Sequence, residues 1–253
     1  MIEAEGLSLF LGENRILKDV NFRLEEKALI LGPNGSGKSS LLKVLSGFYR
    51  YKGSVKIDGK ELMRDVRGYT ELSTNLPEAY YLARDVDDLI SIYSEIKGSD
   101  HETFLKMMEE TGVNFKKRSL FSLSLGERTL TLTALAFSSK PKVIAVDEPF
   151  ENLDKNRKKI VIQWIRKYGK EGFIVTHEIG LLKEFDTWKA YLMIEGRLYG
   201  PVTIIDLMSS KLVKGRRDDS LLELKIRQED YSLIKEEGEE NEILDLNHVY
   251  DYI

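Results

Sequence analysis

The chain has 253 residues, 32% of them charged, with a formal net charge of −4 and no cysteine. These values exclude disulfides and thiolate metal sites, and the near-even charge balance excludes a polybasic coat for nucleic acid. No apolar run approaches the roughly 18 residues of a membrane span, and Met1–Gly6 has neither the basic flank nor the apolar stretch of a signal peptide, so any membrane role is expected to run through a partner.

The length suits one large α/β domain with small attachments. Leu7–Leu11 and Val20–Leu24 read as strands, and Lys27–Leu31 is an apolar run of the kind found in a buried parallel strand. Ser39–Gly47 follows as a helix with Leu41, Leu42 and Leu45 on one face and Gly47 as its stop. Lys52–Leu62 reads as strand, Asp58-Gly59 turn, strand. From Ala79 to about Gly112 the pattern turns helical, with Leu89, Ile92, Tyr93 and Ile96 in phase and a capping box expected from Ser99 and Glu102. After Ser124 the alternation resumes: Val143–Val146 and Phe173–Thr176 are aliphatic strands flanking an amphipathic helix through Ile160, Ile162, Trp164 and Ile165. Strands alternating with helices imply a parallel sheet covered on both faces. Ser209–Ile253 is charge-rich, carries two short apolar runs, Leu221–Ile226 and Ile243–Leu246, and reads as a small appended unit. The basic runs Lys116–Arg118, Arg157–Lys159 and Lys214–Arg217 read as solvated faces.

Gly32-Pro33-Asn34-Gly35-Ser36-Gly37-Lys38-Ser39 fits G-x-x-x-x-G-K-[ST] in its required context, a strand before and a helix after. Such a loop turns backbone N–H groups inward around phosphate oxygens, and the helix N-terminus adds partial positive charge. Lys38 is placed to reach the terminal phosphates and Ser39 to ligate Mg²⁺. Asp147 ends an apolar strand, where ligands of open α/β sheets bind, and is expected in the Mg²⁺ shell. Glu148 next to it can orient and deprotonate water. His177 ends another strand and can hold the γ-phosphate and the attacking water in line, whereas His101 and His248 sit in polar surroundings.

Together these residues resemble the ATP-binding subunits of ABC transporters over about Ile2 to Met208. Gly32–Ser39 resembles the Walker A motif, Val143–Glu148 the Walker B motif with the catalytic glutamate, Leu123–Glu127 the LSGGQ signature, Glu151–Asp154 the D-loop, and His177 the switch histidine. The resemblance implies a P-loop NTPase of α/β class. Its RecA-like core with an antiparallel β subdomain would span 1–73 and 125–208, its inserted helical subdomain 74–124, and its C-terminal appendage 209–253. It implies ATP and Mg²⁺ as cofactors. Catalysis would fall to Glu148, His177 and Lys38, nucleotide contacts to Pro33, Asn34, Gly35, Ser36, Gly37, Lys38, Ser39 and Ser40, and metal contacts to Ser39 and Asp147. It also implies a head-to-tail dimer in which Ser124, Leu125, Gly126 and Glu127 complete the partner's site with Asp154 nearby, and an integral-membrane permease that docks on the helical subdomain, with Tyr80 and Tyr81 candidates for the docking groove. The chain would then lie on the cytoplasmic face of the membrane, in a homodimer or a heterodimer with a paralogue, and bind no nucleic acid.

Three positions depart from the family pattern. Leu125 replaces a signature glycine, which would be disabling if that position needs φ > 0. The adenine-stacking aromatic aligns with Leu11, and its neighbour Phe10 can substitute only if a bulge shifts the strand register. The Q-loop glutamine has no counterpart in Gly68-Tyr69-Thr70-Glu71-Leu72, where Glu71 is the nearest polar substitute and a candidate Mg²⁺ contact. Two alternatives to a transport ATPase remain at this stage: a soluble ABC-type ATPase in cofactor assembly or another role, and an ATP-dependent dimerisation switch with little turnover.

Overall fold

Three aliphatic runs organise the molecule, and alternation along each of them separates two apolar cores. In the computed structural model, which describes residues 1–65, 71–81 and 83–235, the strands β1 (Ile2–Leu11), β2 (Asn14–Leu24), β3 (Lys27–Leu31), β4 (Lys52–Ile57), β5 (Lys60–Glu61), β6 (Leu72–Thr74), β7 (Val143–Asp147), β8 (Glu171–Val175), β9 (Lys189–Ile194) and β10 (Arg197–Thr203) build two sheets. The larger has the order β10-β9-β3-β8-β7-β6, parallel from β9 to β6 with β10 antiparallel at its edge. Leu29, Ile144, Val146 and Ile174 face one core, while Ala28, Ile30, Val143, Ala145, Phe173 and Val175 face the other. Side chains of a strand alternate between faces, so a run buried on both sides must be apolar throughout.

The first face is covered by the helices α3 (Val86–Lys97), α4 (His101–Thr111), α5 (Leu125–Ser138) and α6 (Lys155–Lys167). The second is covered by α1 (Lys38–Leu45) and by the antiparallel sheet β2-β1-β4-β5. After β5 comes the short helix α2 (Leu62–Asp65). Beyond β10, helix α7 (Ile204–Met208) leads into a three-stranded antiparallel sheet, β11 (Ser210–Lys214), β13 (Glu229–Lys235) and β12 (Ser220–Ile226), in the order β11-β13-β12. Leu224, Ile226 and Leu233 join the first core, so this sheet is packed onto the body of the molecule. No helix among the described residues is long and apolar enough to cross a membrane. The Ile243–Leu246 run, His248, and Gly68, Tyr69 and Thr70 lie outside the described residues.

Some sequence expectations need correction. β1 begins at Ile2 rather than Leu7; Gly6, at φ 60°, lies where pairing with β2 slips between Ala4 and Leu7, and this bulge hides the period of the strand. Tyr80 is fully buried and its hydroxyl donates to the Thr74 carbonyl, so it belongs to the core and offers no docking surface. The cap of α4 is Asp100, not Ser99: Asp100 Oδ1 accepts from Glu102 N at 3.1 Å and Oδ2 from Thr103 Oγ1 at 2.7 Å. Ser99 Oγ is instead buried with no hydrogen-bond partner.

This reassignment predicts opposite outcomes for adjacent substitutions. Asp100→Ala removes a helix cap and lowers the midpoint of urea denaturation. Ser99→Ala removes an unpaired buried hydroxyl and leaves that midpoint equal or higher.

Candidate functional site

The phosphate loop starts where β3 reaches the edge of the sheet. A Cβ on Gly32 would lie 2.1 Å from the Met193 carbonyl oxygen of β9, so only glycine lets the chain turn there. The loop closes into α1 through Gly37, at φ 109°, which caps the helix with no side chain. The first N–H groups of α1 are thus left to a ligand. Asn34 and Gly35 are exposed, Ser40 is half-buried, and Ser36 Oγ is buried without a partner. Lys38 is buried, its Nζ donating to the carbonyls of Gly32 at 2.6 Å and Pro33 at 2.9 Å. Burial lowers the pKa of Lys38, and Glu148 and Asp147 pull it back up.

Strand β7 delivers the two carboxylates. Burial raises the Asp147 pKa, against which Ser39 and Lys38 act. Its Oδ1 is buried with no hydrogen-bond partner. A hydroxyl beside an unsatisfied carboxylate oxygen is the donor set expected of Mg²⁺, which takes one or two protein oxygens and completes its shell with phosphate and water. No cluster of three or more His, Cys, Asp or Glu suited to a metal occurs among the described residues. Glu148 has φ 41°, in the left-handed region where a non-glycine residue is strained. Its backbone N–H donates to Val175 O at 3.0 Å. Its carboxylate meets His177 twice, with Nδ1 3.0 Å from Oε1 and the backbone N–H donating to Oε2 at 3.2 Å. Burial raises the Glu148 pKa, while the His177 contacts and Lys38 lower it.

The polar side chain that meets the end of β7 is Asn75. It follows β6 directly, and its carboxamide clamps the backbone of Asp147, accepting from Asp147 N at 2.7 Å and donating to Asp147 O at 2.9 Å. Glu71 is excluded from this role. It precedes β6, its carbonyl accepts from Val143 N at the start of β7, and its exposed side chain lies at the far end of the strand from Asp147. The missed signal was a polar residue just after a strand, as with His177.

The signature stretch forms a complete helix start. Ser124 caps α5, its Oγ accepting from Glu127 N at 3.3 Å while Glu127 Oε2 accepts from Ser124 N at 2.8 Å. Arg118 Nη1 holds the other Glu127 oxygen at 3.3 Å. Leu125 is the first residue of α5, has no positive φ, and is 61% exposed. Its side chain therefore points to solvent at no backbone cost. Gly126 is the constrained position, because a Cβ there would lie 2.5 Å from the Asn152 carbonyl oxygen. Asp154 caps α6 through Asn156 N at 2.9 Å and Arg157 N at 3.0 Å. Phe10 and Leu11 are both exposed, and the pairing shift between Leu9 and Phe10 is the bulge that a Phe10 contact would need. The Phe10 ring, however, is engaged by Lys52 Nζ at 4.9 Å and the Arg15 guanidinium at 5.8 Å from its centroid.

Comparison with known proteins places this geometry. The family profile described as ABC transporter matches residues 17–151. The chain belongs to the ABC transporter family. A protein of Archaeoglobus fulgidus designated an ABC transporter ATP-binding protein is 32% identical over 218 residues, covering 78% of this chain and 73% of the relative. A solved structure assigned to a cobalt transport ATP-binding protein is 38% identical, with a TM-score of 0.90 and 100% of both chains covered. A dimeric bacterial ABC transporter cassette shares the fold at 20% identity, with a TM-score of 0.69 over 81% of this chain and 99% of that one. The chain is thus an ATP-binding ABC subunit and an ATPase.

Two outcomes follow from this geometry. Gly126→Ala destabilises the fold by about 1–3 kcal/mol through overpacking against Asn152, whereas Leu125→Ala stays within about 0.5 kcal/mol, both read from urea denaturation. His177→Ala removes contacts that lower the Glu148 pKa. The carboxylate then stays protonated to higher pH, and the acid limb of the pH profile of ATP turnover moves upward.

Proposed function

We propose that the chain energises transport through a separate integral-membrane permease, working as one half of an ATP-sandwich dimer on the cytoplasmic face of the membrane. The observation that carries this reading is the Glu148–His177 pair, with Nδ1 3.0 Å from Oε1, set beside Lys38 and the unsatisfied Asp147 oxygen at one edge of the sheet. A chain that used ATP as a dimerisation switch alone would need no such pair.

The phosphate loop binds the β- and γ-phosphates through its backbone N–H groups and Lys38. Ser39 and Asp147 would hold Mg²⁺, which when bound neutralises charge developing on the phosphates. Asn75 fixes the backbone of Asp147 and so the aim of its carboxylate. Glu148 accepts the proton of a water that attacks the γ-phosphorus as the bond to the ADP oxygen breaks. Burial raises its pKa above the ordinary carboxylate value, which strengthens it as a base. His177 holds that carboxylate on both oxygens. In the dimer, Ser124 and the backbone at Gly126 of one copy reach the γ-phosphate bound by the other, at the N-terminus of α5. ATP then favours the closed dimer because only that state supplies both halves of its shell.

Docking of the permease is assigned to the helical region, where Tyr81, 56% exposed, stacks on Phe121, 68% exposed, at 5.8 Å. Apolar aromatic surface of this kind is a common anchor of protein interfaces. The dimer's composition and the cargo are properties of partners.

Glu148→Gln is expected to lower ATP turnover by about 10²–10⁴-fold while retaining ATP binding and ATP-dependent dimerisation. Equal, slow turnover by wild type and variant would refute the hydrolytic reading. Copurification with an integral-membrane subunit checks the transport role, and loss of that partner in a Tyr81→Ala/Phe121→Ala variant checks the docking face.

A further inference from the structure

The C-terminal sheet is tied to the phosphate loop through a chain of contacts. The β9–β10 turn, Glu195-Gly196, rests on the loop, with Gly196 N donating to Ser36 O at 2.9 Å. It rests equally on β2, where Lys18 N donates to Gly196 O at 2.7 Å. Glu195 Oε2 then accepts from Arg227 N at 3.3 Å, and Arg227-Gln228 is the two-residue turn between β12 and β13. A second tie lies behind it: the Tyr199 hydroxyl donates to Lys225 O at 3.1 Å and accepts from Lys225 N at 3.2 Å.

These contacts bring the Arg227-Gln228 turn to the rim of a cleft whose floor includes Gly35 of the phosphate loop. Arg15, Ile16 and Lys18 of β2 and the Glu195-Gly196 turn line the rest, and its volume is about 600 Å³. That volume lies within the roughly 300–1,000 Å³ of small-molecule sites. Its chemistry is mixed: an apolar side chain from Ile16, a carboxylate from Glu195, cations from Arg15 and Lys18, and the donors and acceptor of Arg227 and Gln228. A nucleoside offers the same mixture, a flat apolar face with polar edges and a sugar with hydroxyls. The turn also has an uncommon composition. Arg227 and Gln228 have φ 49° and 69°, a conformation that favours Asn-Gly, so these two side chains are kept at a conformational cost.

We propose that the Arg227-Gln228 turn of the C-terminal sheet forms the outer wall of the nucleoside subsite, contacting the base and ribose of ATP held at the phosphate loop of the same chain. The proposal rests on the ATP-binding reading above. It gives the nucleoside a hold that does not depend on aromatic stacking, with Leu11 in the aligned position and Phe10 engaged by Lys52 and Arg15. The carboxamide of Gln228 can pair with the N6–H/N7 edge of adenine, a pairing that the corresponding guanine edge, with the two acceptors O6 and N7, does not match.

The test is equilibrium binding to the full chain by calorimetry, with ATP, GTP and inorganic tripolyphosphate as probes. The variant is Arg227→Asn/Gln228→Gly, which removes both side chains and installs the residues the turn prefers, so the hairpin is retained. ATP binding weakened about tenfold, with a smaller ATP-over-GTP preference, an unfolding midpoint equal to or above that of wild type and unchanged tripolyphosphate binding, supports the proposal. ATP affinity within about twofold of wild type overturns it. So does a parallel loss of tripolyphosphate binding or a lowered unfolding midpoint, either of which would make the turn a structural prop. Lys38→Ala tests the underlying reading separately: if it leaves ATP affinity intact, the phosphate-loop assignment fails, and the nucleoside subsite with it.

Discussion

Everything in this site depends on parallel strands that end together. Ile30 is in register with Val175, Val175 with Asp147, and Ala145 with Thr74, so β3, β8 and β7 reach one edge of the sheet together and β6 ends about two residues short of it. The runs Ala28–Leu31, Val143–Val146 and Phe173–Val175 are buried on both faces and apolar throughout, which leaves the ends of β3, β7 and β8 as the first positions at this edge where polar chemistry can stand. Gly32, His177 and Asp147 occupy those ends or lie within two residues of them, and Asn75 directly follows β6. The same constraint that makes the core dry gathers the phosphate loop, the Asp147 carboxylate and the Glu148–His177 pair at one place.

Charge at that edge is balanced within a small volume. Burial disfavours the ammonium of Lys38 and the carboxylates of Asp147 and Glu148, and each opposite charge partly offsets the cost to the others. Backbone groups complete the arrangement. Lys38 is held by two loop carbonyls, Glu148 by the His177 N–H, and Asp147 by the Asn75 carboxamide. The strained φ of Glu148 fits this pattern, since surrounding contacts on both its backbone and its side chain hold it in place.

What was legible in the sequence had local signatures. The phosphate loop, the strand-ending Asp147-Glu148 and His177 could be read because each depends on a few adjacent residues and their flanking strand or helix. What was missed depends on contacts distant in sequence or on backbone angles. Asn75 acts on Asp147 from 72 positions away, with no glycine or spacing to mark it. The demand for glycine at position 126 comes from the Asn152 carbonyl, and the lack of backbone strain at Leu125 from an angle that no residue pattern reveals. Ser99 and Asp100 are both good caps in sequence; only the fold decides which of them meets the first N–H groups of α4. The link from the C-terminal sheet to the phosphate loop was hidden for the same reason, because it runs indirectly through Glu195 and Tyr199 of the β9–β10 hairpin.

The central claim is a division of labour: each chain carries a full phosphate and base set of its own and lends Ser124 and Gly126 to its partner. Mixing two defective chains tests it most directly, one with Lys38→Ala and one with Ser124→Arg, with ATP turnover measured for each alone and for the mixture. Each variant alone is expected to be inactive. The mixture is expected to regain turnover, because the heterodimer restores one site with an intact Lys38 facing an intact Ser124. A mixture as inactive as its components, under conditions where the two chains are shown to associate, would contradict the account.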